Sequence, residues 1–574
     1  GRLRNYIDEE GAIDDDQEGF SVGRSTTRYL FRMLANLSDI KKQKLACIIL
    51  FIDFEKAFDS VHLPTLITKL ERFGIRGRLL KLLHSFLFNR KVMLKINHHM
   101  GFKRLCSLFG LPQGSVLSPF LFILYVADMT IGMPQWLKKW LSCYKFADDG
   151  TLLIAHQSGF KCFGLMQKLC NELTRWCEKN KLVINCNINK TEAIILQTGR
   201  ESCFEGDQPP QLQINGKYIR YVKSTKVLGV ILDENLNFKL HADQKLTECK
   251  KKWGLITKST NRNRGLNVRS LTLLWKTMIL TKLMYAAPIW LWSNMDTYKS
   301  MWNDGIMKMT GAMLNPNRTL AELTLQLPPL EILLEMQTVK FLCKVLSSED
   351  NLTSTLLQVE GSLHSIFHQH LSSIKEYIHW RYPANFGRRK FMVDLLQLEH
   401  NGISLHYTKA DIQSYQLHRW KSRIINQLKV TESTATNDQV FKLMKEQNVQ
   451  LDKSTFLFKH GTSKREDSHV LDYIHGNSLL FGNCRMRMNM EDDSACYFCQ
   501  EQDDGPIHQL FYCKEVQDST HADLINAIQN PQDYIQEILL PGNRNTQRAF
   551  INRVKFLMGQ HDFREESEKE LISN

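Results

Sequence analysis

The sequence predicts an α+β fold carrying a largely antiparallel sheet, and three observations lead there. "LACIILFI" (residues 45–52) is a continuous apolar run of strand length, as a buried strand shows. "CYKFADDGTLLIAH" (143–156) places two apolar runs around a pair of acids and a glycine, as a hairpin does. Between and after them stand segments with helical spacing, without the even strand–helix alternation of a parallel sheet.

The elements follow in order. Residues 63–88 carry Leu66, Leu70, Phe73, Leu79, Leu82, Leu83 and Phe86 at helical spacing, with Gly74 and Gly77 dividing them into two helices or marking a kink. "KVMLKI" (91–96) reads as a strand. Ser118-Pro119 opens a helix, with Ser as the cap and Pro at the first helical position. A long helix spans about 160–179, and "LVINCNINKTEAIILQT" reads as strand–turn–strand. "QLQINGKYIRYV" and "STKVLGVILD" read as a further strand pair. From about 240 to 345 the chain reads helical and basic, with interleaved aromatics that suit a helix core better than a stacking platform.

Composition narrows the function. Hydrophobic residues make up 43% of the 574 positions, which excludes wholesale disorder. A net charge of +14 points to a polyanionic partner, most simply nucleic acid. The 14 cysteines are mostly scattered through apolar segments, with no signal peptide before them, so they read as reduced thiols. The longest apolar stretch, 277–292, is short for a membrane span and broken by Lys282 and Pro288. No membrane partner is expected, and the expected location is nucleus and cytoplasm.

The chemistry begins with Asp53, at the end of the apolar strand, and Asp148 and Asp149 in the hairpin. If the two strands are neighbours, three carboxylates meet at one sheet edge, the donor set that hard divalent cations such as Mg²⁺ take. Asp149-Gly150 is also a hairpin-turn signal in its own right. "LFGLPQGSVLSPFLF" (108–122) places Gly110, Pro112 and Gly114 in a tight loop, with the Gln113 amide able to donate and accept. Lys250, Lys251 and Lys252 are suited to tracking a phosphate backbone. Near the C-terminus, Cys496, Cys499, His508 and Cys513 supply four ligands for a tetrahedral Zn²⁺.

The ordered set "FIDFEKAFDSV", "GLPQGSVLSPFLF", "FADDG", "NKT" (189–191) and "VLGVILD" (227–233) resembles palm motifs A to E of reverse transcriptases, in the form found in non-LTR (LINE-type) retrotransposons of the Jockey and CR1 groups. "GFSVGRSTTRYLF" (19–31) resembles the fingers motif that precedes motif A, and "LWKTMILTKLMYAAPIW" (274–290) the thumb. The resemblance implies a right-hand polymerase with an antiparallel palm sheet. Partial fingers would occupy 1–45, the palm 46–240, a helical thumb 241–345, a helical connector 346–480, a CCHC zinc element 481–530 and a charged tail 531–574.

The implied roles follow residue by residue. Asp53, Asp148 and Asp149 hold two Mg²⁺ ions. Phe58 packs under the sugar and excludes a 2′-hydroxyl, so the monomer is a dNTP. Gln113 and Gly114 contact nucleotide and template, and Lys190 is a proton donor to pyrophosphate or else a solvated turn lysine. Gly229 lies in the primer grip. Arg24 lines the template path or serves as a structural arginine. The partners are template RNA and primer or target DNA, with target-primed synthesis. Residues 1–18 do not resemble the family's first fingers motif, and the resemblance implies a partial sequence that lacks that motif and the N-terminal endonuclease. The alternative is a truncated, catalytically impaired nucleic-acid-binding remnant.

Overall fold

Strand β1 (Ala46–Ile52) is buried along its whole length, and that sets the plan of the molecule. The computed structural model describes residues 2–9, 13, 16–21, 23–96, 99–105, 108–198, 210–258, 260, 265–310, 318–346, 408–430, 507–528 and 544–573, and single positions within 372–381, 495–500 and at 531. β1 lies inside a five-stranded sheet with β4 (Leu141–Phe146), β5 (Asp149–His156), β6 (Glu192–Ile195) and β9 (Arg220–Tyr221), in the order β4-β5-β1-β6-β9. Side chains alternate across a strand, so an all-apolar strand must be covered on both faces. Ala46, Ile48, Leu50 and Ile52 pack into one core, and Cys47, Ile49 and Phe51 into the other.

The first core is covered by α3 (Leu63–Arg72), α4 (Gly77–Leu87), α5 (Ser118–Val126) and α8 (Gly159–Asn180), with α6 (Asp128–Ile131) and α7 (Gln135–Lys138) as short links. α8 lays Cys162, Met166, Leu169, Cys170, Leu173 and Cys177 on the sheet at helical spacing. The second core is covered by α2 (Thr26–Lys42). Ser25 caps α2 by accepting from the Arg28 N–H, and Phe31 meets Phe341 edge-to-face. The stretch assigned to fingers is thereby wedged between the sheet and the helices beyond residue 240. α1 (Arg2–Glu9) precedes it.

Several expectations need correction. The sheet is mixed rather than purely antiparallel: β6 and β9 run parallel, Glu192 beside Arg220 and Ala193 beside Tyr221. The expected strand pair after residue 211 is instead two hairpins and β9. β7 (Gln213–Ile214) and β8 (Lys217–Tyr218) close through Asn215-Gly216, both at positive φ, the turn such a dipeptide favours. β10 (Ser224–Val227) and β11 (Val230–Asp233) close through Leu228-Gly229 in the same way. "LVIN" contributes a single bridge, Ile184 to Phe54, rather than a strand. Ser118 lies inside α5, and its hydroxyl donates to the Pro112 carbonyl instead of capping the helix. The two-helix reading of 63–88 and the strand at 91–96 (β2, Lys91–Ile96, paired with β3, His99–Leu105) are as expected.

The helical region comprises α9 (Lys239–Thr257), α10 (Val268–Leu274) continuing into a π-helical stretch Trp275–Leu280, α11 (Thr281–Met284), α12 (Ala287–Trp290), α13 (Met295–Thr310), α14 (Arg318–Thr324) and α15 (Leu330–Leu346). Trp253, Trp275, Trp290 and Trp302 are fully buried, so these aromatics are core. Gly305 gives Trp275 its space: a Cβ there would stand 2.3 Å from the indole. Most of the expected connector lies outside the described residues. Its helix α16 (Lys409–Val430) docks on α15 through Arg419–Glu335 (2.8 Å). The expected charged tail begins as structure. In α18 (Arg544–Ser573), Phe550, Val554 and Leu557 are buried, and the helix packs on α17 (Ser519–Ala527). No described helix is long and apolar enough to cross a membrane.

Candidate catalytic site and Cys/His centre

The β4–β5 hairpin closes on the pair Phe146–Asp149, so its two loop residues are Ala147 and Asp148. The Asp149-Gly150 turn expected from sequence is therefore misplaced by two residues: both lie in β5. Gly150 is there for packing instead. It pairs with Ile52, and a Cβ on it would stand 2.6 Å from Ile52 Cγ1. Continuing the β1–β5 register by one pair brings Asp53 opposite Asp149, while Asp148 stands at the loop tip. Beneath them the buried Tyr29 hydroxyl donates to Thr151 Oγ1 (2.6 Å).

The segment after α8 wraps Asp53. Asn185 Nδ2 donates to Asp53 Oδ2 (3.0 Å), the Asn185 N–H donates to the Asp53 carbonyl (2.8 Å), and Lys190 Nζ lies 3.6 Å from Asp53 Oδ2. Burial, then the nearby Asp53 charge, raises the Asp148 carboxyl above its usual range. Burial, Asp148 and Asp53 push Asp149 up to about 6, against the opposing pull of Lys190. Acids that repel one another, Asp53 and Asp148 half-buried and Asp149 more exposed, fit a divalent cation, which neutralises them and takes oxygen donors.

This repulsion has a measurable consequence. Folded Asp149 holds its proton to about pH 6, whereas the unfolded carboxyl releases it near 3.8. Stability is thus lost as pH rises through that window, and the penalty is complete above it. Because Asp149 is open to solvent on one side, the penalty is about 1 kcal/mol. In Mg²⁺-free buffer at pH 7, Asp149→Asn should melt roughly 2 °C above wild type, with a flatter profile between pH 4 and 6. A variant that melts lower at pH 7 would show that the acids do not repel.

The remaining candidates fall around this edge. Half-buried Phe58 stacks on Phe122 of α5, centroids 4.8 Å apart and planes at 22°. Exposed Gln113 donates to Asp59 Oδ1 (2.9 Å), and Gly114 takes φ +83° in the same loop. Arg24 Nη1 donates to the Gln17 carbonyl (2.8 Å). At Gly229 the φ is +86°, and a Cβ would stand 3.1 Å from Tyr285, whose hydroxyl donates to the Leu228 carbonyl (2.7 Å). Lys250 and Lys251 are exposed on α9, and Lys252 is half-buried.

The second centre is assembled from Cys496, Cys499, His508 and Cys513, whose ligand atoms all lie within 4.8 Å of one another. Cys496 Sγ stands 3.9 Å from Cys513 Sγ, and Cys499 Sγ 3.2 Å from His508 Nε2. Ligands of a tetrahedral zinc with bonds near 2.3 Å stand roughly 3.5–3.8 Å apart, so the donor set fits. The Cys496 thiol hydrogen bond lowers the Cys513 pKa, which favours the thiolate. Fully buried Arg553 of α18 holds the element from outside, donating to the carbonyls of Gln509 (3.1 Å), Leu510 (3.3 Å) and Val516 (2.6 Å) and to Asp518.

Comparison with known proteins places the first part of the chain in a family. Residues 1–232 match the family described as reverse transcriptase (RNA-dependent DNA polymerase). The probable RNA-directed DNA polymerase from transposon BS of Drosophila melanogaster is 25% identical over 293 residues, covering 50% of this chain and 31% of that protein. The RNA-directed DNA polymerase from mobile element jockey, also of Drosophila melanogaster, is 28% identical over 243 residues, covering 42% of this chain and 25% of that one. Over residues 1–232 this chain is a reverse transcriptase domain, similar to those of non-LTR retrotransposons such as BS and jockey. It spans about a third or less of the length of these relatives. A solved telomerase from Candida albicans, in complex with a TWJ fragment of telomeric RNA, overlaps at TM-score 0.30 and 10% identity, covering 78% of this chain and 58% of that one; the overlap is too loose to carry an argument.

Around the acid edge of this reverse transcriptase domain the structure also brings in residues that sequence reasoning passed over. Asn185 precedes the "NKT" stretch and Thr191 ends it; Asn185 holds the Asp53 carboxylate, and the Asp53 N–H donates to Thr191 Oγ1 (3.4 Å). Gln17 is bonded to the Asp148 loop, and Arg553 to the Cys/His element. None of these pairs shares a periodic pattern, because the partners lie far apart in sequence.

Proposed function

We propose that the chain is an RNA-directed DNA polymerase that adds dNTPs to a primer 3′-OH by two-metal phosphoryl transfer, with nicked target DNA as primer and element RNA as template, in the nucleus and cytoplasm. The observation that carries this reading is the register that brings Asp53 opposite Asp149 with Asp148 at the adjoining tip. Two Mg²⁺ ions held by Asp53, Asp148 and Asp149 would supply charge stabilisation for the attacking and leaving oxygens. The chain's own residues do the rest. Asn185 and Lys190 orient Asp53, and the Lys190 ammonium, mostly in solvent, is placed to protonate pyrophosphate. Gln113 and Gly114 border the nucleotide, the Gly229 turn meets the primer end, and Lys250, Lys251 and Lys252 meet backbone phosphates. In the Cys/His centre a structural Zn²⁺ would close a nucleic-acid-docking element.

The direct test is extension of a DNA primer on an RNA template by the full chain with Mg²⁺ and dNTPs. If extension does not exceed that of an Asp148→Ala blank, the reading is wrong and the remnant alternative stands.

Sugar choice is a separate expectation. Phe58 is held flat by Phe122, which gives a fixed wall where a 2′-hydroxyl would come. Phe58→Ala should relax discrimination against rNTPs by roughly tenfold or more. The same change removes half-buried aromatic area and should cost about 3 kcal/mol of stability, so a melt must accompany the assay. Unchanged sugar selectivity in a folded variant would remove Phe58 from this role.

A further inference from the structure

We propose that Gln17 is a positioning residue of the acid site: its side-chain oxygen holds the Ala147–Asp148 loop in shape and so sets where the Asp148 carboxylate stands. The inference rests on the metal-binding reading of the acids given above.

Gln17 is 2% exposed. Its Oε1 accepts from the Ala147 N–H and from the Gly19 N–H, each at 2.9 Å. Ala147 has φ +57°, the left-handed region in which a Cβ crowds the following carbonyl. An alanine is held there only if its surroundings favour it, and the Gln17 oxygen is a buried acceptor aimed at its N–H. Asp148, the next residue, has its backbone direction set by that conformation.

The rest of the segment is built to bring this one oxygen to the loop. The Lys145 N–H donates to the Asp16 carbonyl and the Glu18 N–H to the Lys145 carbonyl, both at 2.8 Å, so Gln17 forms a parallel bridge on the free edge of β4. Arg24 fixes the Gln17 carbonyl from the other side. Gly19 allows the approach: a Cβ there would stand 2.4 Å from the Ala147 nitrogen. The other end of the amide, Nε2, is buried with no hydrogen-bond partner among the described residues. A buried polar group left unsatisfied is costly, so Gln17 is kept at this place for its oxygen. An apolar side chain of similar size would fill the space without that cost but could not accept from Ala147. A carboxylate could accept but would add a fourth negative charge beside three acids.

The test uses the full-length, zinc-loaded chain and reads Mn²⁺ binding from the free-ion EPR signal, with a thermal melt and primer extension alongside. Gln17→Ala should bind Mn²⁺ roughly tenfold more weakly while remaining folded. Adding Ala147→Gly should restore binding to within about threefold of wild type, because glycine takes positive φ without a Cβ penalty. Equal Mn²⁺ affinity in Gln17→Ala and wild type would overturn the proposal. So would a loss that Ala147→Gly leaves untouched, since it would mark a general packing defect. Absence of Asp148-dependent Mn²⁺ binding in wild type would overturn it as well. A wild-type chain that binds Mn²⁺ through Asp148 but extends no primer would defeat the polymerase assignment alone, and the titration would still decide Gln17.

Discussion

Replacing Asp53 or Asp148 by asparagine should reduce RNA-templated primer extension by roughly a thousandfold or more, while the chain stays folded. The size follows from charge. Phosphoryl transfer builds negative charge on the reacting oxygens, and a preorganised cation site is worth most of the barrier lowering in a partly dry cleft. Asparagine keeps the shape of the side chain but halves its donor oxygens and removes its charge. The fold should tolerate this because Asp148 is already held in a repulsive setting, with burial and Asp53 raising its pKa. At Asp53 the amide would still meet Asn185 and would release Lys190 from its 3.6 Å contact. Single-turnover extension with saturating dNTP, paired with a thermal melt, checks both halves. Extension within tenfold of wild type in either variant would mean that the acid edge is not the reacting centre.

The second large effect concerns the Cys/His centre. Chelating the metal proposed there with 1,10-phenanthroline, or making Cys496→Ser, should unfold the described residues of 495–528 and release α18, removing their share of the second core while leaving the β-sheet and the first core intact. Structural zinc binding is worth about 10–16 kcal/mol in finger peptides, and that energy is folding energy. The ligands sit inside this unit, where Cys496 and Cys513 are fully buried beside Leu510, Phe511 and Val516, so the short loops between them depend on the metal for their path. Arg553 transmits the loss, because three of its partners are backbone carbonyls in the metal-held loop. Without them a fully buried guanidinium would be left unpaired, which is strongly unfavourable. Atomic absorption should find one zinc per chain, and hydrogen exchange should show protection in 544–560 lost on chelation. Purified chain without zinc, or protection that survives chelation, would refute the centre.

The acid edge was legible in sequence because an all-apolar strand ending in an acid, and a hairpin bearing two more, bring those acids together once the strands are neighbours, as β1 and β5 are. The Cys/His ligands were legible because four soft ligands at close spacing have few other uses. The loop position was misread: Asp-Gly favours a turn by local propensity, but Ile52 needs the space at Gly150, and the β1–β5 register moved the turn to Ala147-Asp148. The sheet was expected to be antiparallel, yet β9 returns beside β6 in parallel, a choice made by where the intervening hairpin packs. The charged composition of the C-terminal stretch hid the buried stripe of Phe550, Val554 and Leu557, whose spacing is helical but whose partner lies elsewhere in the chain.

By itself, then, the sequence marked the candidates for the chemistry: the three acids and the Cys/His set by residue type and local pattern, and Phe58 by resemblance to the family motif. The tertiary structure alone decided what holds them in place. Gln17 meets Ala147 across 130 positions and Asn185 meets Asp53 across 132. A hydrogen bond between such partners depends on two segments arriving within 3 Å of each other, and that is a product of the packed cores rather than of any local periodicity.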